Sequence, residues 1–323
     1  MKVLLTGGSG FVAAHYLASL LQHGHDVVFA VRSDEKGQRI LAAHPSIPRE
    51  RLSYTIVEDI AQPNAFSAAV QSIPPFDAVI HTASLFHYAA KDAQRDLIDP
   101  AVLGTTSLLD AVAAHTPSVK RVVITSSFAA NYNPHGHPDV YTEAHWNPVT
   151  LEEAMRDRVQ AYRASKTFAE RAAWDFVQQQ RHGEEALTVT LVTINPPLIL
   201  GPLRDLAEGK WRDAGALPRT FALYWADVHD VALAHTRALE CEQAANRRFI
   251  VTAGSMCNAQ IASIVRDCLP EMRGLVPDSI ELTSDLPSDL YGIDTAASRE
   301  VLGLSYRSLP DCIVDNLRAF QDV

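Results

Sequence analysis

The sequence predicts an α/β protein, a doubly wound parallel sheet with a smaller C-terminal lobe. Three observations carry this. Short continuous Val/Ile/Leu runs recur along the first two-thirds, longer helical patterns separate them, and a glycine-rich turn follows the first run directly.

Lys2–Thr6 reads as a buried strand. Gly10–His23 reads as a helix with Phe11, Ala14, Leu17, Ala18 and Leu21 on one face. Further strands are expected at Asp26–Val31, Arg51–Val57, Asp77–His81 and Lys120–Thr125, with a helical pattern over Ala101–Ala114. A long helix is expected over Leu151–Arg181. The strand after it, Thr188–Ile194, ends at Pro196-Pro197 because proline donates nothing to a ladder. Beyond Gly201 the alternation weakens. Asp227–Glu240 reads as helix, Arg248–Val251 as a short strand, and Asp294–Phe320 as two short helices around Gly303 and Pro310. Residues 1–195 with about 225–252 are therefore expected to form a dinucleotide-binding domain. Residues 196–224 and 253–323 form a lobe over the carboxyl ends of its strands, where ligands bind in such sheets.

Composition narrows the function. With 47% hydrophobic and 20% charged residues in 323, the chain can bury a core without disulfides or a structural metal. A formal net charge of −10 argues against a nucleic-acid partner, which needs a concentrated basic surface. Cys241, Cys257, Cys268 and Cys312 form no C-x-x-C and are expected as buried free thiols in a reducing compartment. The histidines are scattered. His135 and His137 flank Gly136 in a proline-rich stretch without zinc spacing, and no metal is expected. Met1 and Lys2 lead straight into the first strand, and no uninterrupted apolar run is long enough for a bilayer, so a cytoplasmic protein without a membrane partner is expected.

Thr6-Gly7-Gly8-Ser9-Gly10-Phe11-Val12-Ala13 fits both G-x-G-x-x-A and G-x-x-G-x-x-A at a strand-to-helix turn. Glycine lets backbone approach a pyrophosphate, and the N–H groups of the loop and first helical turn stabilise the anion; Gly7, Gly10, Phe11 and Val12 are the candidates. The second strand ends in Arg32, where NAD enzymes usually carry a carboxylate for the ribose 2′-hydroxyl. Arginine pairs instead with a 2′-phosphate, and Lys36 adds a second charge, so NADPH/NADP+ is the expected cofactor. Asp34 and Glu35 keep the site from being purely basic. Asp59 and Ile60 follow the third strand and are candidates for the adenine edge. Thr82, Ala83 and Ser84 follow the fourth, toward the diphosphate and ribose.

Tyr162-Arg163-Ala164-Ser165-Lys166 is Y-x-x-x-K. Residues four apart share a helix face, and an ammonium beside a phenol lowers its pKa, which makes tyrosine a usable acid. Lys166 can also hydrogen-bond the nicotinamide ribose. Thr125-Ser126-Ser127 ends the fifth strand. Ser127, one step further toward the cleft than Ser126, is the expected hydroxyl for the substrate oxygen.

With these residues in view, the chain resembles the extended short-chain dehydrogenases/reductases of Rossmann fold over nearly its full length. Within them it resembles the dihydroflavonol 4-reductase-like branch, above all fungal aldehyde and ketone reductases of the methylglyoxal reductase type. The resemblance rests on Val123–Ser127, His81–Ser84, Trp146-Asn147-Pro148, and Tyr162–Lys166 with Phe168-Ala169-Glu170. It rests further on Asn195-Pro196-Pro197 with Gly201-Pro202, and on Asp227–Ala232. It implies a Ser127–Tyr162–Lys166 triad, backbone near Pro197 and Leu198 on the nicotinamide carboxamide, and a small carbonyl substrate lined by Phe86, Phe128, Tyr132 and Val159. It also implies a monomer or homodimer. Ala13 replaces the commoner third glycine, and Leu85 stands where many relatives have proline. The signature of cinnamoyl-CoA reductases is missing around Tyr162, which disfavours a CoA thioester. Two other readings remain open at this point: a sugar-nucleotide epimerase or dehydratase on the same fold, and a non-catalytic NADPH sensor.

Overall fold

The computed structural model describes residues 1–84, 92–181, 189–200, 203–277 and 282–321. The chain runs through β1 (Lys2–Thr6), α1 (Phe11–Gln22), β2 (Asp26–Val31), α2 (Asp34–Ala43), β3 (Leu52–Ile56) and β4 (Ala78–His81). A π-helical segment, Gln94–Ile98, continues into α3 (Asp99–His115), followed by β5 (Arg121–Thr125) and β6 (Val140–Tyr141). Next come α4 (Leu151–Arg156), α5 (Arg158–Arg181), β7 (Thr190–Asn195), β8 (Leu198–Leu200), α6 (Arg204–Ala207), α7 (Lys210–Ala214), β9 (Tyr224–Asp227) and α8 (Val228–Glu240). The chain closes with β10 (Arg247–Ile250), β11 (Gly254–Ser255), α9 (Asn258–Cys268), β12 (Gly292–Ile293), α10 (Ala296–Glu300) and α11 (Leu309–Gln321).

Seven strands form one sheet in the order β10-β7-β5-β4-β1-β2-β3, every neighbouring pair parallel. The strand order reverses at β1, which lies between β4 and β2. In a doubly wound sheet the crevice opens at that point. Successive side chains of a strand point to opposite faces. Val3 and Leu5 accordingly pack with Ala13, Tyr16, Leu17 and Leu20 of α1 and with α8, whereas Leu4 packs with Leu108, Leu109 and Val112 of α3 and Ala173 and Val177 of α5. Coverage on both faces explains why these strands read as unbroken apolar runs.

A third core lies in the later chain. Leu206, Trp211, Ile261, Val265, Ile313 and Leu317 join there around Trp225. It carries a three-stranded sheet, β11-β9-β8, and β6 pairs with β12 over two residues. Neither small sheet, nor α2, is visible as a periodic pattern in the sequence.

Two helices differ from expectation. In α1 the buried face is Ala13, Tyr16, Leu17 and Leu20, while Phe11 is 44% exposed. A 3.6-residue stripe fits either set, and tertiary partners choose: the Tyr16 ring stacks on His235 of α8 at 4.2 Å. The long helix expected over Leu151–Arg181 is two helices. Asp157 is extended (φ −142°, ψ 133°), and its Oδ1 accepts from the N–H groups of Val159 (2.7 Å) and Gln160 (2.9 Å), so it caps a new helix. The remaining strand and helix ends shift by a residue or two.

The cysteines depart from expectation in part. Cys257 and Cys312 are buried, but Cys268 is exposed and Cys241 partly so. Gln94–His115 is a 22-residue helical run long and apolar enough, by length and composition, to cross a bilayer. Here it is a packed layer helix: Leu97 lies against Ala161, and Ile98 against Ala164, on α5.

Candidate active site

The glycine turn after β1 is built so that side chains are excluded. Gly7 adopts φ +72°, and a Cβ there would stand 2.9 Å from the backbone N and Cα of Ala83. A Cβ on Gly8 would stand 2.8 Å from Cβ of Phe29. Gly10 N–H donates to Gly7 O at 2.9 Å and closes the turn. Thr6 Oγ1 accepts from the N–H groups of both Thr82 and Ala83 at 3.2 Å and lies 2.8 Å from His81 Nδ1. The β4 loop is thereby seated on the glycine turn. α1 then begins at Phe11 with no side chain capping it and no acid in its first turn. Its first N–H groups and positive dipole end face the crevice, as an anion site requires. The cradle that a Cβ would fill fits a pyrophosphate. Gly7 and Gly10 of the turn and Thr82 and Ala83 of the β4 loop are brought together, with Phe11 and Val12 in the first turn of α1 and Ser84 next along the loop.

At the end of β2, Arg32 is exposed and has no ion pair among the described residues. The nearest acid in sequence is occupied: Tyr54 Oη donates to Asp34 Oδ1 at 2.5 Å and accepts from Gln38 Nε2 at 2.8 Å. Lys36 lies in the first turn of α2, partly exposed. This uncommitted cation fits a 2′-phosphate. Asp59 turns its carboxylate onto its own loop, where Gln62 Nε2 and Ala61 N–H donate to it at 2.9 Å and hold its pKa below the usual range. Ile60 points inward, packing where a Cβ on Gly104 of α3 would meet its Cδ1 at 3.0 Å.

α5 carries Tyr162 and Lys166 one turn apart on one face. Lys166 Nζ donates to Ser84 Oγ at 3.3 Å, which ties the Y-x-x-x-K helix to the β4 loop. The residue is partly exposed, but burial of its ammonium end pushes the pKa down to about 8. Below it, burial, and secondarily Lys166, push His81 down to about 3, so the imidazole is neutral.

The two serines part ways. Ser126 Oγ donates to buried Glu170 at 2.5 Å. Ser127 Oγ accepts from Ala129 N–H at 3.2 Å and reaches Pro196 O at 3.4 Å, capping the turn Phe128–Ala130. Phe128 N–H donates to Pro196 O at 2.8 Å, joining this turn to the loop of Pro197 and Leu198, of which Leu198 is 44% exposed.

Behind the serines lies a buried network that sequence reasoning missed. Glu170 accepts from Ser126, from Thr193 Oγ1 (2.9 Å), from Asn195 Nδ2 (2.8 Å) and from Arg248 Nε (2.6 Å). Arg248 also donates to the carbonyls of Glu143 (2.5 Å) and His145 (2.7 Å) and stacks 3.7 Å above the Trp146 ring. Asn195 Nδ2 contacts Ser127 O at 3.4 Å, so the network reaches the backbone of the candidate catalytic serine. The signal was present in part: Glu170 stands four residues after Lys166, on the same face of α5.

Of the candidate pocket residues, Phe128 is buried, its ring stacked on Tyr291 and edge-on to Tyr141. Tyr132 and Val159 are partly open. Phe86 lies outside the described residues. Among the described residues no group of three or more His, Cys, Asp or Glu is placed to hold a metal ion.

Comparison with known proteins agrees with this geometry. The chain is 44% identical to the ketoreductase azaE of Aspergillus niger, over 97% of this chain and 96% of that protein. It is 31% identical to the NADPH-dependent methylglyoxal reductase GRE2 of Saccharomyces cerevisiae, over 98% and 96% respectively. The crystal structure of yeast methylglyoxal/isovaleraldehyde reductase Gre2 complexed with NADPH superposes with a TM-score of 0.87 at 29% identity, covering 100% of this chain and 99% of that one. The sequence profile of NAD dependent epimerases and dehydratases matches residues 3–252. This match spans the whole parallel sheet, the glycine turn and the Y-x-x-x-K helix, and the chain belongs to the NAD dependent epimerase/dehydratase family.

Proposed function

We propose that the protein is an NADPH-dependent carbonyl reductase acting on a small ketone or aldehyde, and on the corresponding alcohol with NADP+ in reverse. The observation that carries this reading is the contact of Lys166 Nζ with Ser84 Oγ, because it sets the Y-x-x-x-K face beside a loop that rests on the glycine cradle. When bound, NADPH supplies the hydride. Tyr162 passes its Oη proton to the carbonyl oxygen as that oxygen gains charge, Lys166 favours the phenolate left behind, and Ser127 donates a hydrogen bond to the same oxygen. Gly7, Gly10, Phe11 and Val12 bind the pyrophosphate, Arg32 and Lys36 the 2′-phosphate, and backbone at Asp59 and Ile60 the adenine side. Thr82, Ala83 and Ser84 face the ribose, and Pro197 and Leu198 the carboxamide. Phe128, Tyr132 and Val159 contribute to the substrate pocket. Residues 1–195 with about 225–252 serve the cofactor; 196–224 and 253–323 shape the substrate side.

The test follows NADPH absorbance with purified protein and a panel of aldehydes, aryl ketones and β-keto esters, with NADH alongside. Oxidation by some carbonyls, slower with NADH, is expected. NADPH binding without oxidation by any of them shifts the reading to sugar-nucleotide chemistry or to sensing.

Two further outcomes are expected. Arg32→Asp removes the cation and adds a carboxylate, so the ratio of kcat/KM for NADPH over NADH falls by about 10- to 100-fold. An unchanged ratio would take Arg32 out of cofactor recognition. The second concerns pH. The protonated ammonium is the form that supports Tyr162 and the ribose, and Lys166 loses its proton near 8. The kcat/KM for NADPH is therefore flat below that pH and declines above it. Lys166→Met should abolish that limb, and its persistence in the variant would assign the titration elsewhere.

A further inference from the structure

Arg163, the residue after Tyr162, is a cation that lies against Tyr132, one of the residues proposed for the substrate pocket. Its guanidinium carbon lies 4.2 Å from the centroid of the Tyr132 ring. Tyr132 packs with Phe128, Tyr141, Tyr291 and His137, and Phe128 directly follows Ser127. Consecutive Cα atoms are about 3.8 Å apart. The charge thus rests on the aromatic cluster that holds Phe128, the neighbour of Ser127, and it follows the proposed proton donor directly in the chain. Its field reaches that cluster, where it works against the burial that raises the phenols of Tyr141 and Tyr291.

The arginines nearby are committed differently. Arg248 is paired with Glu170, and Arg171 donates to Asn147 O at 3.1 Å over the Trp146 ring. Arg163 has no carboxylate within ion-pair distance among the described residues. Its side-chain acceptor there is Gln160 Oε1, at 3.5 Å. A guanidinium stacked on a ring spends its face and keeps its edge, where paired N–H groups match a carboxylate.

We propose that Arg163 receives a carboxylate of the substrate, so that the preferred substrates are oxo acids with the carboxylate a few bonds from the reacting carbonyl. This rests on the reductase reading for the carbonyl, though the anion site itself does not require turnover. The test is calorimetric binding to the NADP+-loaded protein of two matched pairs: benzoylformate and its methyl ester, and 4-oxo-4-phenylbutanoate and its methyl ester. NADPH oxidation with each is followed in parallel. In at least one pair the acid should bind about 10- to 100-fold more tightly than the ester. Arg163→Gln should erase the difference and Arg163→Lys should keep part of it. Equal binding of acid and ester by the wild type in both pairs overturns the proposal, and so does an acid preference that survives Arg163→Gln. An Arg163-dependent acid preference with no oxidation of NADPH by any of the four compounds supports the anion site and defeats the reductase reading alone.

Discussion

Tyr162→Phe should lower kcat for carbonyl reduction by about 10²- to 10⁴-fold, the usual worth of a positioned general acid. Phenylalanine keeps the ring, its packing on α5 and the helix itself, and deletes only the hydroxyl. Lys166, Ser84 and the glycine cradle are untouched, so NADPH affinity should change little. The two measurements belong together. Stopped-flow hydride transfer reports the chemistry, and NADPH titration by fluorescence reports the site. A variant that retains most of the wild-type kcat would remove Tyr162 from the reaction. A variant that loses NADPH binding as well would show that the hydroxyl serves the fold or the cofactor rather than the proton.

The second large effect is on stability. Arg248→Met should destabilise the protein by about 3–5 kcal/mol, because it leaves the carboxylate of Glu170 buried without its cation. Glu170 is 1% exposed, and its remaining partners, Ser126, Thr193, Asn195 and Trp174, are neutral donors. Glu170→Gln should cost a comparable amount by stranding Arg248. The double variant should be less damaged than the sum of the two, since neither charge is then left alone. Urea unfolding of the four proteins measures this directly. Additive losses would mean that the pair is not coupled, and that the hydrogen bonds around it carry the stability separately.

The sheet was legible because strands buried on both faces leave an unbroken apolar run, as in Val3-Leu4-Leu5 and Val122-Val123-Ile124. The glycine turn and the Y-x-x-x-K helix were legible because their chemistry fixes a spacing within a few residues. What escaped depends on distant partners. The face of α1 was decided by Tyr16 meeting His235. The break at Asp157 depends on a carboxylate turning back onto two N–H groups, which a periodic pattern does not register. Glu170 and Arg248 are 78 residues apart, and neither looks unusual alone. Arg163 occupies a position that Y-x-x-x-K leaves unspecified. Its surroundings come from Tyr132, on a different segment.

The strand order also has a consequence for how the chain is made. β10 is the outer neighbour of β7 and brings Arg248, yet most of the segment between them builds the smaller lobe and α8. On the ribosome, α5 emerges well before β10 has been translated. At about 5–20 residues per second, the 78 residues that separate Glu170 from Arg248 take roughly 4 to 16 seconds. Through that interval Glu170 has no counter-ion, and β7 presents an open edge to other nascent chains. The interleaved lobes thus give the newborn polypeptide a defined window of vulnerability, one that closes only when the last strand of the sheet arrives.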